Sequence, residues 1–342
     1  MTWLTWRQFR AQAVVAATAL VALAAVFAAT GPHLARLYAA SGLAACPANG
    51  SCAARTVSFL DQVKSDPVYP ALYLFGAALL WIAPAIIGVF WGAPLVTREL
   101  EAGTFRLAWN QSVTRTRWLA VKLGLVGLAA MATAGLLSLM VTWWAAPIDR
   151  AGGLPVGLGQ LSRFSPQLFA ARGITPVGYA AFAVALGVAA GVLIRRTVPA
   201  MAVTLALFAA VQLLTPGLVR PHLIPPARAT AAVQVNLNDV QMNSNGQVTV
   251  PVTNRPGAWI IENQTITPAG RVFVLPLVAA CQSGSEQQCD AWYARQHLRR
   301  RITYLPASRY WDLQWFETAI FLALATALAG LSAAQVRYRR LA

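Results

Sequence analysis

Residues 70–96 read PALYLFGAALLWIAPAIIGVFWGAPLV, and residues 97–106 directly after them read TRELEAGTFR. The first stretch contains no Asp, Glu, Lys or Arg. Roughly 17 to 25 apolar residues in a helix cross the ~30 Å hydrocarbon layer of a bilayer, so 70–96 reads as a membrane span. The second stretch is crowded with charge, as a chain leaving lipid must be. Working outward, five more apolar segments stand out, at 11–30, 119–146, 174–194, 197–219 and 315–336. None carries an ionisable residue in its central part. Lys122 and Glu317 lie near segment ends, where long side chains are expected to reach the interface. The expected fold is an all-α polytopic membrane protein with six transmembrane helices.

Composition supports this. The chain has 342 residues, 57% hydrophobic and 11% charged, whereas soluble domains are about 25% charged. Its net charge is +16. Of 27 basic residues only Lys64 and Lys122 are lysines. The basic residues gather at span ends and build no compact basic domain. They therefore point to an anionic membrane surface, not to nucleic acid. The Arg and Ala bias suggests a GC-rich bacterial genome, so the expected location is a bacterial inner membrane.

Charge also sets the expected orientation, because short Lys/Arg-rich loops stay cytoplasmic. The inner segments are then 1–10, 97–118, the turn at Arg195-Arg196 and 337–342. The outer ones are 31–69, 147–173 and 220–314, and both termini lie inside. The first apolar run is longer than a signal-peptide core and is expected to be kept as a helix. Trp3 and Trp6 with Arg7 and Arg10 suggest an interfacial helix before it. All four cysteines, Cys46, Cys52, Cys281 and Cys289, fall in outer loops, where disulfides persist. Proximity favours Cys46–Cys52 and Cys281–Cys289, although four cysteines allow three pairings. The chain is thus divided into 1–219 with five helices, an extracytoplasmic region at 220–314, and 315–342 with the sixth helix. The middle region is expected to be mixed α/β: strands at Val233–Val240, Gln247–Val252 and Arg271–Val278, and a polar helix at Gln288–Arg301.

Catalytic motifs are missing from the sequence. There is no Walker A motif, since neither lysine follows a glycine, and no HExxH, CxxC or GxSxG. His33, His222 and His297 are scattered, and no catalytic or metal-binding residue is expected. Span centres without ionisable groups argue against a proton-coupled pump.

The segment Thr97–Trp118 carries the functional signal. Leu100, Phe105, Leu107, Trp109 and Val113 alternate with charges, a pattern suited to a helix lying in the interface. Glu99 and Glu101 offer anions to a basic partner surface, Gly103 breaks the helix, and Thr114 is placed to cap the next one. The run Arg98-Glu99-Leu100-Glu101-Ala102-Gly103-Thr104 resembles the R-E-x-E-x-G-T signature of ABC type-2 permeases. The continuation Ser112-Val113-Thr114-Arg115 to Trp118 and Lys122 is similar to that family's approach to its third span. The resemblance implies a permease of an ABC exporter, a homodimer or heterodimer, driven by a separate cytosolic ATPase that binds ATP and Mg. It implies that Arg98, Glu99, Glu101, Gly103, Thr104 and Arg106 form the coupling segment against that ATPase. No cofactor is expected in this chain itself. Nearly charge-free spans suit a hydrophobic or amphiphilic substrate. The 220–314 region is longer than a minimal member of that family has. The rival reading is a membrane-anchored sensor or assembly protein working through 220–314. Gly88 and Gly92 in span 2 and Gly187 and Gly191 in span 4 form GxxxG pairs that let backbones approach. Packing within the chain is favoured over a dimer seam.

Overall fold

The computed structural model describes residues 2–46, 52–104, 114–156, 159–161, 163–232, 241–242, 248–250, 258–274 and 286–338. Six helices among them are long and apolar enough to cross a membrane. They are span 1 (Thr5–Ala40), span 2 (Val68–Glu101), span 3 (Arg115–Arg150), span 4 (Thr175–Ile194), span 5 (Thr197–Leu223) and span 6 (Ala307–Tyr338). The chain divides into two compact units, Met1–Leu223 with Trp311–Ala342, and Ile224–Tyr310.

All the spans but span 4 outrun the apolar segments that announce them. No separate interfacial helix precedes span 1, because one unbroken helix runs Thr2–Ala40 and includes Trp3, Trp6, Arg7 and Arg10. Its first turns are held on the bundle by Thr5 and Phe9, which are 2% and 3% exposed. Span 3 begins where expected: Thr114 has extended backbone and its hydroxyl accepts the Arg117 amide at 3.3 Å, occupying one of the unpaired donors of the helix start. Span 4 stops at Arg195, which takes the left-handed conformation at φ 59°.

Span 4 is the most enclosed helix, with 78% of its apolar stretch buried against 11% for span 1. Glycine makes this possible. A methyl group on Gly187 would fall 2.5 Å from the Gly88 carbonyl oxygen and 2.6 Å from the Ala93 nitrogen. One on Gly92 would fall 2.8 Å from the Val184 carbonyl oxygen. One on Gly191 would meet the Thr97 side chain at 3.0 Å. The two GxxxG pairs therefore face each other inside one chain, and spans 2 and 4 touch backbone to backbone. At this contact span 2 widens into a π-helical turn, Gly88–Gly92, between Pro84 and Pro94. Aromatic and aliphatic layers fill the remaining space. Phe27 stacks on Trp144, with ring centroids 5.2 Å apart, between spans 1 and 3. Tyr179, Phe182, Phe208 and Phe321 join spans 4, 5 and 6.

Span 5 does not end before Arg220. A second π-helical turn, Thr215–Val219, carries it past Pro216, and a last helical turn covers Arg220–Leu223. Arg220 and Pro221 thus belong to the helix and not to the outer segment. Before the first crossing of span 2, a helix over Ala53–Ser65 packs Phe59, Leu60 and Val63 into the core. Cys46 and Cys52, which flank the residues just before it, are joined by a disulfide. Between spans 3 and 4 lie a two-stranded ribbon, β1 (Leu154–Val156) with β2 (Gly159–Leu161), and a short helix, Pro166–Phe169.

The unit Ile224–Tyr310 is mixed α/β. Strands β3 (Ala227–Ala232), β7 (Arg299–Leu305) and β6 (Trp259–Ile266) form an antiparallel sheet in the order β3-β7-β6. Strands β4 (Gln241–Met242) and β5 (Val248–Thr249) form a second pair. The polar helix covers only Glu286–Arg295. His297 then adopts φ 47°, and Arg299-Arg300-Arg301 opens a strand instead of closing the helix. The β-branched and aromatic run Ile302-Thr303-Tyr304 explains that switch. Of the expected strand Arg271–Val278 only 271–274 are described, and there Val272 makes a bridge with Ile266; Val233–Val240 lies outside the described residues. Phe273, Tyr293, Leu298, Val248 and Val250 pack around Cys289, which is disulfide-bonded; Cys281 lies outside the described residues. Burial pushes the Tyr293 phenol above its ordinary pKa.

Candidate functional site

The C-terminal turn of span 2 is a joint among four helices. Glu99 is 9% exposed and its carboxylate collects three donors. The Lys122 ammonium in span 3 lies 2.5 Å from Oε1, Gln8 Nε2 in span 1 donates to Oε1 at 2.8 Å, and Trp118 Nε1 in span 3 donates to Oε2 at 3.1 Å. The ammonium also donates to the Leu95 carbonyl at 3.3 Å and lies 4.9 Å from the centre of the Trp118 ring. Two residues on, Glu101 reaches the start of span 5. Its Oε1 accepts the Thr197 amide at 2.8 Å and its Oε2 accepts the Thr197 hydroxyl at 2.6 Å. A carboxylate at a helix N-terminus also meets the positive end of the helix dipole. The Thr197 hydroxyl lies 2.9 Å from the Thr97 hydroxyl as well.

Glu99 is therefore turned into the bundle and does not present itself at the surface. Lys122 does not reach for the interface either, since it is 2% exposed and paired with Glu99. Arg98, Glu101 and Thr104 are exposed. Gly103 has φ 67°, with its amide 3.4 Å from the Leu100 carbonyl, so glycine ends the helix in the conformation that a side chain would strain. Residues 105–113, including Phe105, Arg106, Leu107, Trp109 and Val113, lie outside the described residues.

Two further polar clusters occupy the opposite helix ends. Arg220 of span 5 and Glu317 of span 6 form a two-point pair, Nε to Oε2 at 2.8 Å and Nη2 to Oε1 at 2.9 Å, with side chains 0% and 1% exposed. Tyr179 of span 4 donates to the same carboxylate at 3.0 Å, and the guanidinium lies 4.5 Å from the Phe169 ring centre. Glu317 thus does not reach an interface. Nearby, Gln314 Oε1 accepts the amides of Ile174 and Thr175, both at 3.0 Å, and its Nε2 donates to the Phe169 carbonyl at 3.1 Å. The second cluster joins spans 2 and 3. Tyr73 donates to Asp149 at 2.8 Å, and Arg172 lies 4.0 Å from the same carboxylate while donating to the Val141 carbonyl at 2.9 Å.

The spans therefore carry buried charge after all, gathered near their ends and neutralised in pairs. The sequence hides these pairs because each joins residues far apart in the chain, Glu99 with Lys122 and Arg220 with Glu317. The available signals were one of only two lysines inside an apolar stretch, and a lone glutamate in Trp315-Phe316-Glu317-Thr318.

A bundle of six apolar helices, braced at its ends by paired charges, is the frame of a multi-pass membrane protein. A family model described as ABC-2 membrane transporter related matches residues 17–220, and the chain belongs to that family, as a membrane component of an ABC transporter. The match spans the facing glycine pairs and, of the joint, Glu99, Glu101, Trp118, Lys122 and Thr197. No curated protein and no solved structure matches the chain.

Proposed function

We propose that this chain is the permease subunit of an ABC exporter and that a separate cytosolic ATPase, binding ATP and Mg, drives it through residues 97–118. The two ends of the chain and the connection between spans 2 and 3 face the cytoplasm of a bacterial inner membrane, as the positive-inside rule suggests. Two permease chains, identical or related, enclose the pathway, and a hydrophobic or amphiphilic molecule passes outward. One observation carries the reading. The helix turn that leads into the coupling segment is fastened by Glu99 to spans 1 and 3 and by Glu101 to span 5. A push on Arg98–Thr104 therefore reaches four helices together.

In this reading Arg98 and Thr104 are contact residues, with Arg106 beyond them in the same segment. Gly103 sets the angle of the segment, and Glu99 and Glu101 pass its movement on. The test is co-purification with candidate ATPases followed by ATP hydrolysis in lipid. Arg98→Glu together with Thr104→Ala is expected to weaken ATPase capture, while the variant chain keeps the wild-type elution profile. Unchanged capture and unchanged substrate-stimulated hydrolysis would remove the assignment.

A further inference from the structure

Span 1 presents two different faces over its first turns. Thr5 and Phe9 are buried, Gln8 holds Glu99, and Gln12 donates to the Phe90 carbonyl at 3.2 Å. The other face carries Trp3, Trp6, Arg7 and Arg10, spaced three and four residues apart and therefore in one stripe. All four are exposed, Trp3 to 67% and Trp6 to 53%. The same stripe continues along the helix as Val14, Ala17 and Val21, which are exposed as well. Arg10 stands about 6 Å below Val14 along the axis. Exposed apolar residues on a helix long and apolar enough to cross a membrane suit lipid tails, and the aromatic and cationic part continues the same stripe toward the helix end, where headgroups would lie.

Among the described residues the guanidiniums of Arg7 and Arg10 have no anionic partner. The Arg7 guanidinium lies 5.4 Å from the centre of the Trp3 ring. Indole rings settle at the level of lipid headgroups, and guanidinium groups bind phosphate oxygens at two points. We propose that Trp3, Trp6, Arg7 and Arg10 form a surface for the phosphate groups of anionic phospholipids. The occupant is lipid and not an acidic protein, because this surface continues the exposed apolar stripe of the span. The site lies back to back with the Gln8–Glu99 bond, so its lipid steadies the helix end on which the joint rests. The binding itself requires neither the export reading nor a particular orientation of the chain.

The test uses the full chain, purified in a neutral detergent and titrated with short-chain phosphatidylglycerol, short-chain phosphatidylcholine or inorganic phosphate. Bound molecules are counted by native mass spectrometry. One basic residue at an anionic surface strengthens attachment about fivefold. The wild type is therefore expected to prefer phosphatidylglycerol on the order of tenfold or more, and less so as salt is raised. Arg7→Gln with Arg10→Gln should abolish most of that preference, and each single substitution should remove about fivefold. The single variants serve if the double variant does not elute as a folded protein. A preference unchanged by these substitutions overturns the proposal. So does displacement of lipid by equimolar inorganic phosphate, which would mark a small-anion site. Loss of ATPase capture with lipid preference intact would mark a protein contact, and the proposal also fails in that case.

Discussion

Lys122 is 2% exposed and lies 2.5 Å from the Glu99 carboxylate. A charge that far from water is tolerated only because its partner and two further donors surround the same site. Removing one member is worse than removing both. Lys122→Met should cost about 3–5 kcal/mol, because it strands a buried carboxylate. Adding Glu99→Gln should recover most of that loss, since a neutral amide still accepts the Trp118 N–H. Thermal unfolding of the three variants in detergent measures this; additive losses would mean that the two residues act separately. The Arg220 pair follows the same logic. Glu317→Gln leaves Arg220 without its two-point partner and should destabilise the chain by a similar amount. Neither pair shows itself in the sequence, where hydropathy registers each charge singly and near a segment edge.

At the scale of the helix, contact between spans 2 and 4 depends on missing side chains. Gly187→Ala would place a methyl group 2.5 Å from the Gly88 carbonyl oxygen, so the helices must part. The expected cost is ~1–3 kcal/mol. Gly127 in span 3 has nothing within 4 Å of the same added carbon. Gly127→Ala should therefore leave stability unchanged or raise it by up to about 1 kcal/mol through helix propensity. Unfolding temperatures of the two variants decide the matter, and equal effects would contradict the packing described. Both GxxxG pairs were legible in the sequence, and so were the six spans, because a bilayer demands long apolar runs. Helix ends were less legible. The first turns of span 1 look like an interfacial segment because Trp3, Arg7 and Arg10 are polar or amphipathic, yet Thr5, Gln8 and Phe9 fasten them to the bundle. Pro221 looks like a stop signal, but the preceding π-helical turn lets span 5 run on to Leu223. Arg299-Arg300-Arg301 looks helical on charge alone, while the residues after it favour a strand.

For the whole molecule, the three polar clusters divide between the two ends of the bundle. One braces the C-terminal turn of span 2, and two brace the opposite ends, around Glu317 and Asp149. Under the proposed function, movement imposed at the first end would reach the rest through helices packed on span 4. The run Arg98–Thr104 that resembles the family signature was legible in the sequence, whereas the direction in which Glu99 points was not, because it depends on Lys122, Gln8 and Trp118 arriving from other helices. The fastening of Glu101 to Thr197 is the most direct point at which to intervene, since both residues lie at helix ends and Glu101 is exposed. The decisive measurement is substrate exported per ATP hydrolysed, in proteoliposomes holding the permease and its ATPase, for wild type and for Glu101→Gln with Thr197→Val. ATPase capture and basal hydrolysis should persist, while export per ATP falls at least about fivefold, the lower range of coupling between distant sites. Export per ATP equal to that of the wild type would contradict transmission through this joint.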